Sequence, residues 1–290
     1  MLTHISDVTH PSPGSADKAP SVAAIVASID KYLAQFPAEL SVQEGRKEMI
    51  ADLTELLKSR FALWKKHNNG QLPENILVYR DGVSEGQYDL CRNIEIPAMR
   101  KACNQAYPAT AKQKGLPRMT FIIVGKRHHT RFYPTVDDDK VTDVRSGNPK
   151  NGTIVDRGVT DARMWDYYLQ AHTGLQGTAR PAHYVVILDE IFRGRPIPPG
   201  SGFKNTADVL EDLTHNMCYL FGRATKAVSL CPASYYADLA CARARCYLSG
   251  LYDPLNDVPS DSQSTISGNT GVSGGNVRIH PDIKDTMFYV

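Results

Sequence analysis

No part of this chain is spaced to bind zinc or to cross a membrane. Its six cysteines are Cys91, Cys103, Cys218, Cys231, Cys241 and Cys246. No two form a C-x-x-C pair, and no His/Cys cluster has zinc spacing. Most of them fall in helical apolar patterns, which predicts buried free thiols and a reducing compartment. Apolar runs never reach the roughly 20 residues that a bilayer core requires. Neither a signal peptide nor a lipidation box is visible. The expectation is an intracellular, soluble, cytoplasmic protein with no membrane partner. Internal repeats are also missing. Charge of one sign is not in excess: 33 Lys and Arg against 31 Asp and Glu leave +2, too little to imply a polyanionic or polycationic partner.

What is present is ordinary in bulk and uneven in detail. The 290 residues, 42% apolar and 22% charged, suit one large α/β domain or two small ones with ample core. Residues 126–131 read KRHHTR, a basic knot directly after an apolar run at 121–124. Arg223, Lys226, Arg243 and Arg245 add positive charge later, and Asp137 to Asp139 form an acidic run that reads as a solvated loop.

Periodicity predicts the elements. Strands are expected at 5–7, 22–29, 41–43, 76–79, 120–124, 154–155, 165–169, 184–188 and 228–230. Helices are expected over 45–67, 87–106 with an interruption near Pro97, 206–221 capped by Thr206, and 234–248 stopped by Gly250. Strands first, then strands alternating with helices, predict a mixed α/β sheet with helices on its faces. Residues 253–277 are rich in Ser, Gly, Asn and Asp and are expected to form a disordered loop. The last residues, 278–290, turn apolar again and are expected to pack back on the domain spanning 1–252.

The candidate site begins at Asp81. It follows the apolar run 76–79 and precedes Gly82, and strand ends in α/β sheets are where ligands sit. Asp7 closes a second such run. Two aspartates leaving neighbouring strands make a divalent-metal site. An Asp before Gly is on its own a common turn residue, but RDGVSEGQ at 80–87 is denser in polar groups than a turn requires.

Five segments carry a resemblance: DVTHPSPG at 7–14, YRDGVSEGQ at 79–87, KRHHTR at 126–131, GLQGTARPAHY at 174–184 and SYYADLACARAR at 234–245. In this order and spacing the chain resembles the PIWI domain of eukaryotic Argonaute proteins. The resemblance implies an RNase H-like fold with a mixed central β-sheet flanked by helices. It implies small-RNA-guided, metal-dependent cleavage of complementary RNA in RNA silencing, with two Mg²⁺ or Mn²⁺ ions. The partners it implies are a small guide RNA, its target RNA and silencing scaffold proteins. Catalytic residues carried over are Asp7, Glu48, Asp81 and Asp238, with Asp7, Asp81 and Asp238 as metal ligands. Glu48 matches a mobile glutamate finger, with Glu44 as competitor and helix-dipole stabilisation as the bland alternative; Asp238, His in many animal members, could instead be a solvated helix-face residue. Guide contacts carried over are Lys126, Arg127, His172, Gln176, Arg180, Arg223, Ser229 and Tyr235, with Arg243 at the guide 5′-phosphate. His128 and His129 are expected to face RNA or to pack rather than to bind metal. Two departures from the pattern stand out. Full Argonautes place N-terminal, PAZ and MID regions before this domain, which predicts weak guide affinity here, and residues 1–6 read as a truncated, polar lead-in to Asp7. A non-cleaving PIWI module that binds guide RNA or silencing partners is the alternative reading.

Overall fold

Eight strands build the central sheet of this computed structural model. It describes residues 1–290 except 17–18, 114, 137, 175, 198, 253–271, 274–275 and 278. The strands are β1 (Leu2–Thr9), β2 (Ser21–Ala27), β3 (Ala38–Gln43), β4 (Asn75–Arg80), β5 (Arg118–Gly125), β6 (Thr153–Val155), β7 (Trp165–Gln170) and β8 (Ala182–Asp189), in spatial order β3-β2-β1-β4-β5-β8-β7-β6. β1, β4 and β5 run parallel, and every other neighbour is antiparallel. The short β9 (Val272–Ser273) and β10 (Asn276–Val277) pair with each other.

The helices are α1 (Leu53–His67), α2 (Tyr88–Leu90), α3 (Ile96–Ala106), α4 (Ala109–Gln113), α5 (Thr206–Met217) and α6 (Pro232–Tyr247). Between α2 and α3 the chain makes a π-helical turn, Cys91–Glu95. On one face Ile76, Val78, Phe121 and Ile123 pack against Leu57, Phe61 and Trp64 of α1 and Met99 and Cys103 of α3. On the other, Ile5, Leu77, Tyr79, Ile122 and Tyr184 pack against α5 and α6. Thr214 of α5 ties its helix to the sheet by hydrogen bonds to the hydroxyls of Tyr79 and Tyr167, each 2.9 Å. No helix among the described residues is long and apolar enough to cross a membrane.

Four expectations require correction. The first strand is not truncated: β1 is eight residues long, central, and buries Thr3, His4 and Ser6 completely or nearly so. Thr3 exchanges hydrogen bonds with Ser28, and burial next to Arg80 keeps His4 neutral, its pKa down at about 3. The first long helix starts at Leu53, not at 45. An added Cβ on Gly45 would lie 2.6 Å from the Ala19 carbonyl, Arg46 has φ +64°, and the Gln43 side chain holds the 47–51 loop through Met49 O and Ala51 N. Met49 and Ile50 are buried within that loop, which is why the apolar period runs on without a helix. α5 is capped by Asn205, whose side chain accepts from Asp208 N–H at 2.9 Å, and it ends at Met217. Residues 228–230 are not a strand; Val228 N–H donates to Cys218 O beyond the end of α5.

The loop expected over 253–277 lies, for 253–271 and 274–275, outside the described residues. Near the C-terminus Tyr289 is buried, contacts the Tyr236 ring and donates its hydroxyl to Phe36 O.

Candidate active site

Register places the two strand-end aspartates together. In the parallel pair β1–β4, Ser6 stands opposite Arg80. One step further the Asp81 N–H still reaches Ser6 O, at 3.4 Å, so Asp7 and Asp81 leave the ladder side by side. The two-residue period of a strand puts them on the face of Ile5 and Tyr79, the face that α6 covers. Asp238 comes to the same place from α6. All three line one cleft of about 750 Å³, whose lining also includes Lys126, Arg127, His128, His183 and Tyr235.

Burial and mutual repulsion set the charge state of this pair. The Asp7 carboxyl is pushed up to about 6, first by burial and then by the Asp81 charge, against the pull of Arg80 and the Val8 N–H, 2.8 Å away. Asp81 is raised by burial, opposed by the Gly82 N–H at 2.7 Å and by Arg80. Asp238 is exposed. The donor set is one that a hard divalent cation prefers, and a cation between Asp7 and Asp81 would remove their repulsion. Among the described residues no three His, Cys, Asp or Glu side chains gather so as to hold an ion.

Glu48 is not on a helix, as its sequence context suggested, but in the loop before α1. Its Oε1 lies 3.0 Å from Arg80 Nη2 and its Oε2 2.8 Å from His10 Nε2, while His10 Nδ1 bonds Ser21 Oγ at 2.8 Å. Gly82, with φ +86°, leaves the space that brings Glu48 next to Asp7: a Cβ there would sit 3.1 Å from Asp7 Oδ1 and 3.3 Å from Glu48 Oε1. Glu44 is an exposed residue that pairs only loosely, at 4.0 Å, with Lys47.

Beneath them Arg80 is fully buried. Its Nε reaches both Glu95 oxygens at 3.2 Å, its Nη2 donates to Glu48 O at 2.8 Å, and its Nη1 donates to Asp81 O. The π turn after α2 swings Glu95 inward to meet it, and such turns recur at functional sites. Arg80, Glu95, His10 and Gly82 are site residues that the sequence analysis does not assign. Arg80 carried a usable signal, a charge continuing a run of buried strand residues.

The expected guide contacts divide. Lys126 Nζ donates to Ser229 Oγ, which bonds Tyr235 OH at 2.6 Å, making one polar chain on the cleft wall. Burial and the nearby Arg180 lower the Lys126 pKa. His172, pushed down to about 4 by burial and by Lys126, lies beside it. Arg127 lines the cleft close enough to act on Asp81. Gln176, Arg223 and Arg243 are exposed and do not line the cleft. His128 packs: its Nε2 is 2.9 Å from Pro181 O and its ring meets Tyr168 edge-on. Five of the cysteines are free and buried, and Cys246 is free and exposed.

Comparison with known proteins agrees with this architecture. The Piwi domain family matches residues 5–249. The chain is 40% identical to Protein argonaute 5 of Arabidopsis thaliana and 39% identical to Protein argonaute MEL1 of Oryza sativa subsp. japonica. Each alignment covers 98% of this chain and 28% and 26% of the relative, so the chain spans about a quarter of their length. The C-terminal lobe of a budding yeast Argonaute superposes with a TM-score of 0.80 at 32% identity, covering all of this chain and 53% of that one. Kluyveromyces polysporus Argonaute, solved with a guide RNA, matches with the same score and identity, covering all of this chain and 32% of that one. The mixed eight-stranded sheet with its flanking helices is thus the RNase H-like fold of Argonaute PIWI domains, and the chain belongs to the Piwi domain family.

Proposed function

We propose that this chain is the PIWI domain of a cytoplasmic Argonaute acting in RNA silencing, binding a small guide RNA and cleaving the RNA paired to it. The observation that carries the reading is the pairing of Asp7 with Asp81 in a cleft that Lys126 and Arg127 also line. Acidic and basic side chains in one cleft suit a polynucleotide: the basic groups hold phosphates, and the carboxylates would hold the catalytic metal ions.

Asp7 and Asp81 would hold Mg²⁺ or Mn²⁺, with Asp238 on the rim. Two such ions, when bound, activate the attacking water and stabilise the leaving oxygen. The chain's own groups do the rest. Arg80 and His10 hold the Glu48 carboxylate beside Asp7. Lys126 neutralises a guide phosphate, and the Ser229 and Tyr235 hydroxyls fix the register of the strand without reading sequence. His172, Gln176, Arg180, Arg223 and Arg243 extend this contact along the guide, as the resemblance implies, and silencing scaffold proteins are the expected protein partners.

The test is cleavage of a labelled RNA paired to a 5′-phosphorylated guide, in low salt with Mg²⁺ or Mn²⁺. A single cut opposite the middle of the guide, lost in Asp81→Ala, is the expected result; equal cutting by both chains would sink the reading. A second reading, a PIWI module that binds guide RNA or silencing partners without cutting, is favoured by the lack of any metal-holding group of three acidic, His or Cys side chains among the described residues. RNA binding without a cut in either chain would support it.

A further inference from the structure

The cleft has a group that the proposed chemistry leaves unused. His183, at the start of β8, lines it, and its Nε2 lies 2.6 Å from Asp166 Oδ2. Asp166 is almost fully buried, and its other oxygen accepts the Asp161 N–H at 3.0 Å. Both of its oxygens are therefore occupied, and it is fixed as an acceptor. An imidazole that gives its Nε2 proton to a buried carboxylate has only Nδ1 left for other partners. No described residue bonds that nitrogen, and it is not among the buried unpartnered atoms. The sheet explains why it is open. Across the strands His183 has Tyr168 on one side and Gly125, which lines the same cleft, on the other. Gly125 offers no side chain to cover the ring, and a Cβ placed there would meet nothing within 4 Å.

Two groups lie directly against this ring. The Asp166 carboxylate lies at hydrogen-bond distance, and the Tyr168 ring stacks on the imidazole at 4.2 Å with an interplanar angle of 7°, where an aromatic face attracts a cation. His128 lies edge-on to it at 6.2 Å, with Arg131 and Arg180 acting on His128 from beyond. Tyr88 of α2 lies close enough to feel Asp166 and completes the surround.

We propose that the Asp166–His183 pair is a phosphate contact of this cleft: the imidazolium, held in orientation by Asp166, donates its Nδ1–H to a backbone phosphate of RNA held in the cleft that Asp7 and Asp81 also line. The proposal rests on the RNA reading of the cleft. It assigns His183 as a binding residue and Asp166 as the positioning residue behind it, and it makes part of the RNA affinity dependent on pH.

The experiment measures binding of a guide–target RNA duplex to the full chain, with EDTA present so that nothing is cut, at pH 5.5 and pH 8. His183→Gln is expected to lose on the order of tenfold in affinity at pH 5.5, the worth of a charge-assisted hydrogen bond, and little at pH 8. Asp166→Asn is expected to follow it. The second readout is the imidazole ¹⁵N signal of His183 in the wild-type chain, whose titration midpoint should move to higher pH when RNA is added; a structural role would leave it in place. Equal affinity of His183→Gln and wild type at pH 5.5, an equal loss at both pH values, or an unmoved midpoint overturns the proposal while RNA binding stands. Failure of the wild-type chain to bind RNA even at low salt overturns the RNA reading, and the proposal with it.

Discussion

The Arg80 guanidinium and the Glu95 carboxylate meet at 3.2 Å with both side chains essentially out of reach of water. This pair underlies the site, since Arg80 also bonds the backbone of Glu48 and Asp81. A buried charge that loses its partner is costly, about 3–5 kcal/mol. Glu95→Gln leaves Arg80 with Glu48 as its one remaining carboxylate partner at pairing distance, so a loss near the lower end, about 3 kcal/mol, is expected. Urea unfolding followed by circular dichroism measures it; a midpoint within error of wild type would show that the pair contributes nothing.

Gly82 is expected to separate stability from activity. Its φ of +86° alone makes Gly82→Ala cost about 1–2 kcal/mol. The added methyl would also crowd Asp7 Oδ1 and Glu48 Oε1, which must then move apart. Cleavage should fall further than the stability loss explains. An Ala variant that cuts at the wild-type rate after correction for its folded fraction would show that the Asp7–Glu48 spacing does not matter.

Much of this was legible in the chain and some was not, for local reasons. Continuous apolar, β-favouring runs such as 76–79 and 120–124 announce themselves as buried strands, and the residue after such a strand is a natural ligand position; hence Asp81. The central strand β1 was harder, because Thr3, His4 and Ser6 dilute its apolar pattern and their burial is made possible by partners far off in sequence, such as Ser28. Glu48 illustrates the reverse error: buried Met49 and Ile50 mimic helical spacing in a loop that Gln43 organises. Support residues such as His10 and Glu95 act across 38 and 15 residues of chain, and no local pattern encodes such pairings.

Glu211 of α5 sets a pH dependence away from the cleft. Its carboxyl is pushed up to about 7, first by burial and then by Asp156 and Asp208, and its Oε1 has no hydrogen-bond partner. The folded chain thus holds a proton that the unfolded chain releases near the ordinary Glu value of about 4.3. The stability this adds is fully present below pH 4 and is lost as pH rises through 7. Glu211→Gln, neutral at every pH, should be more stable than wild type at pH 8, by roughly 2–3 kcal/mol at most, and no more stable at pH 4. Thermal melts of both chains across that range check it; parallel curves would refute it.

Asp238 offers the clearest handle on metal demand. It is exposed on the cleft rim, and its negative charge bears on both Asp7 and Asp81. Like charges about 4 Å apart repel by on the order of 4 kcal/mol at an effective dielectric of 20, and the effect of Asp238 is a reduced version of this, since water reaches its side chain. A cation held by Asp7 and Asp81 would turn that repulsion into attraction. Asp238→His removes the carboxylate, so Mn²⁺ should bind more weakly, by roughly three- to tenfold, the worth of an attraction of about 0.7–1.4 kcal/mol in partly solvated surroundings. The same change leaves the fold intact, because the side chain makes no contact that the core requires. Calorimetric titration of Mn²⁺ into both chains decides it: equal affinities would mean that Asp238 stands outside the metal's field and that Asp7 and Asp81 bind the ion without it.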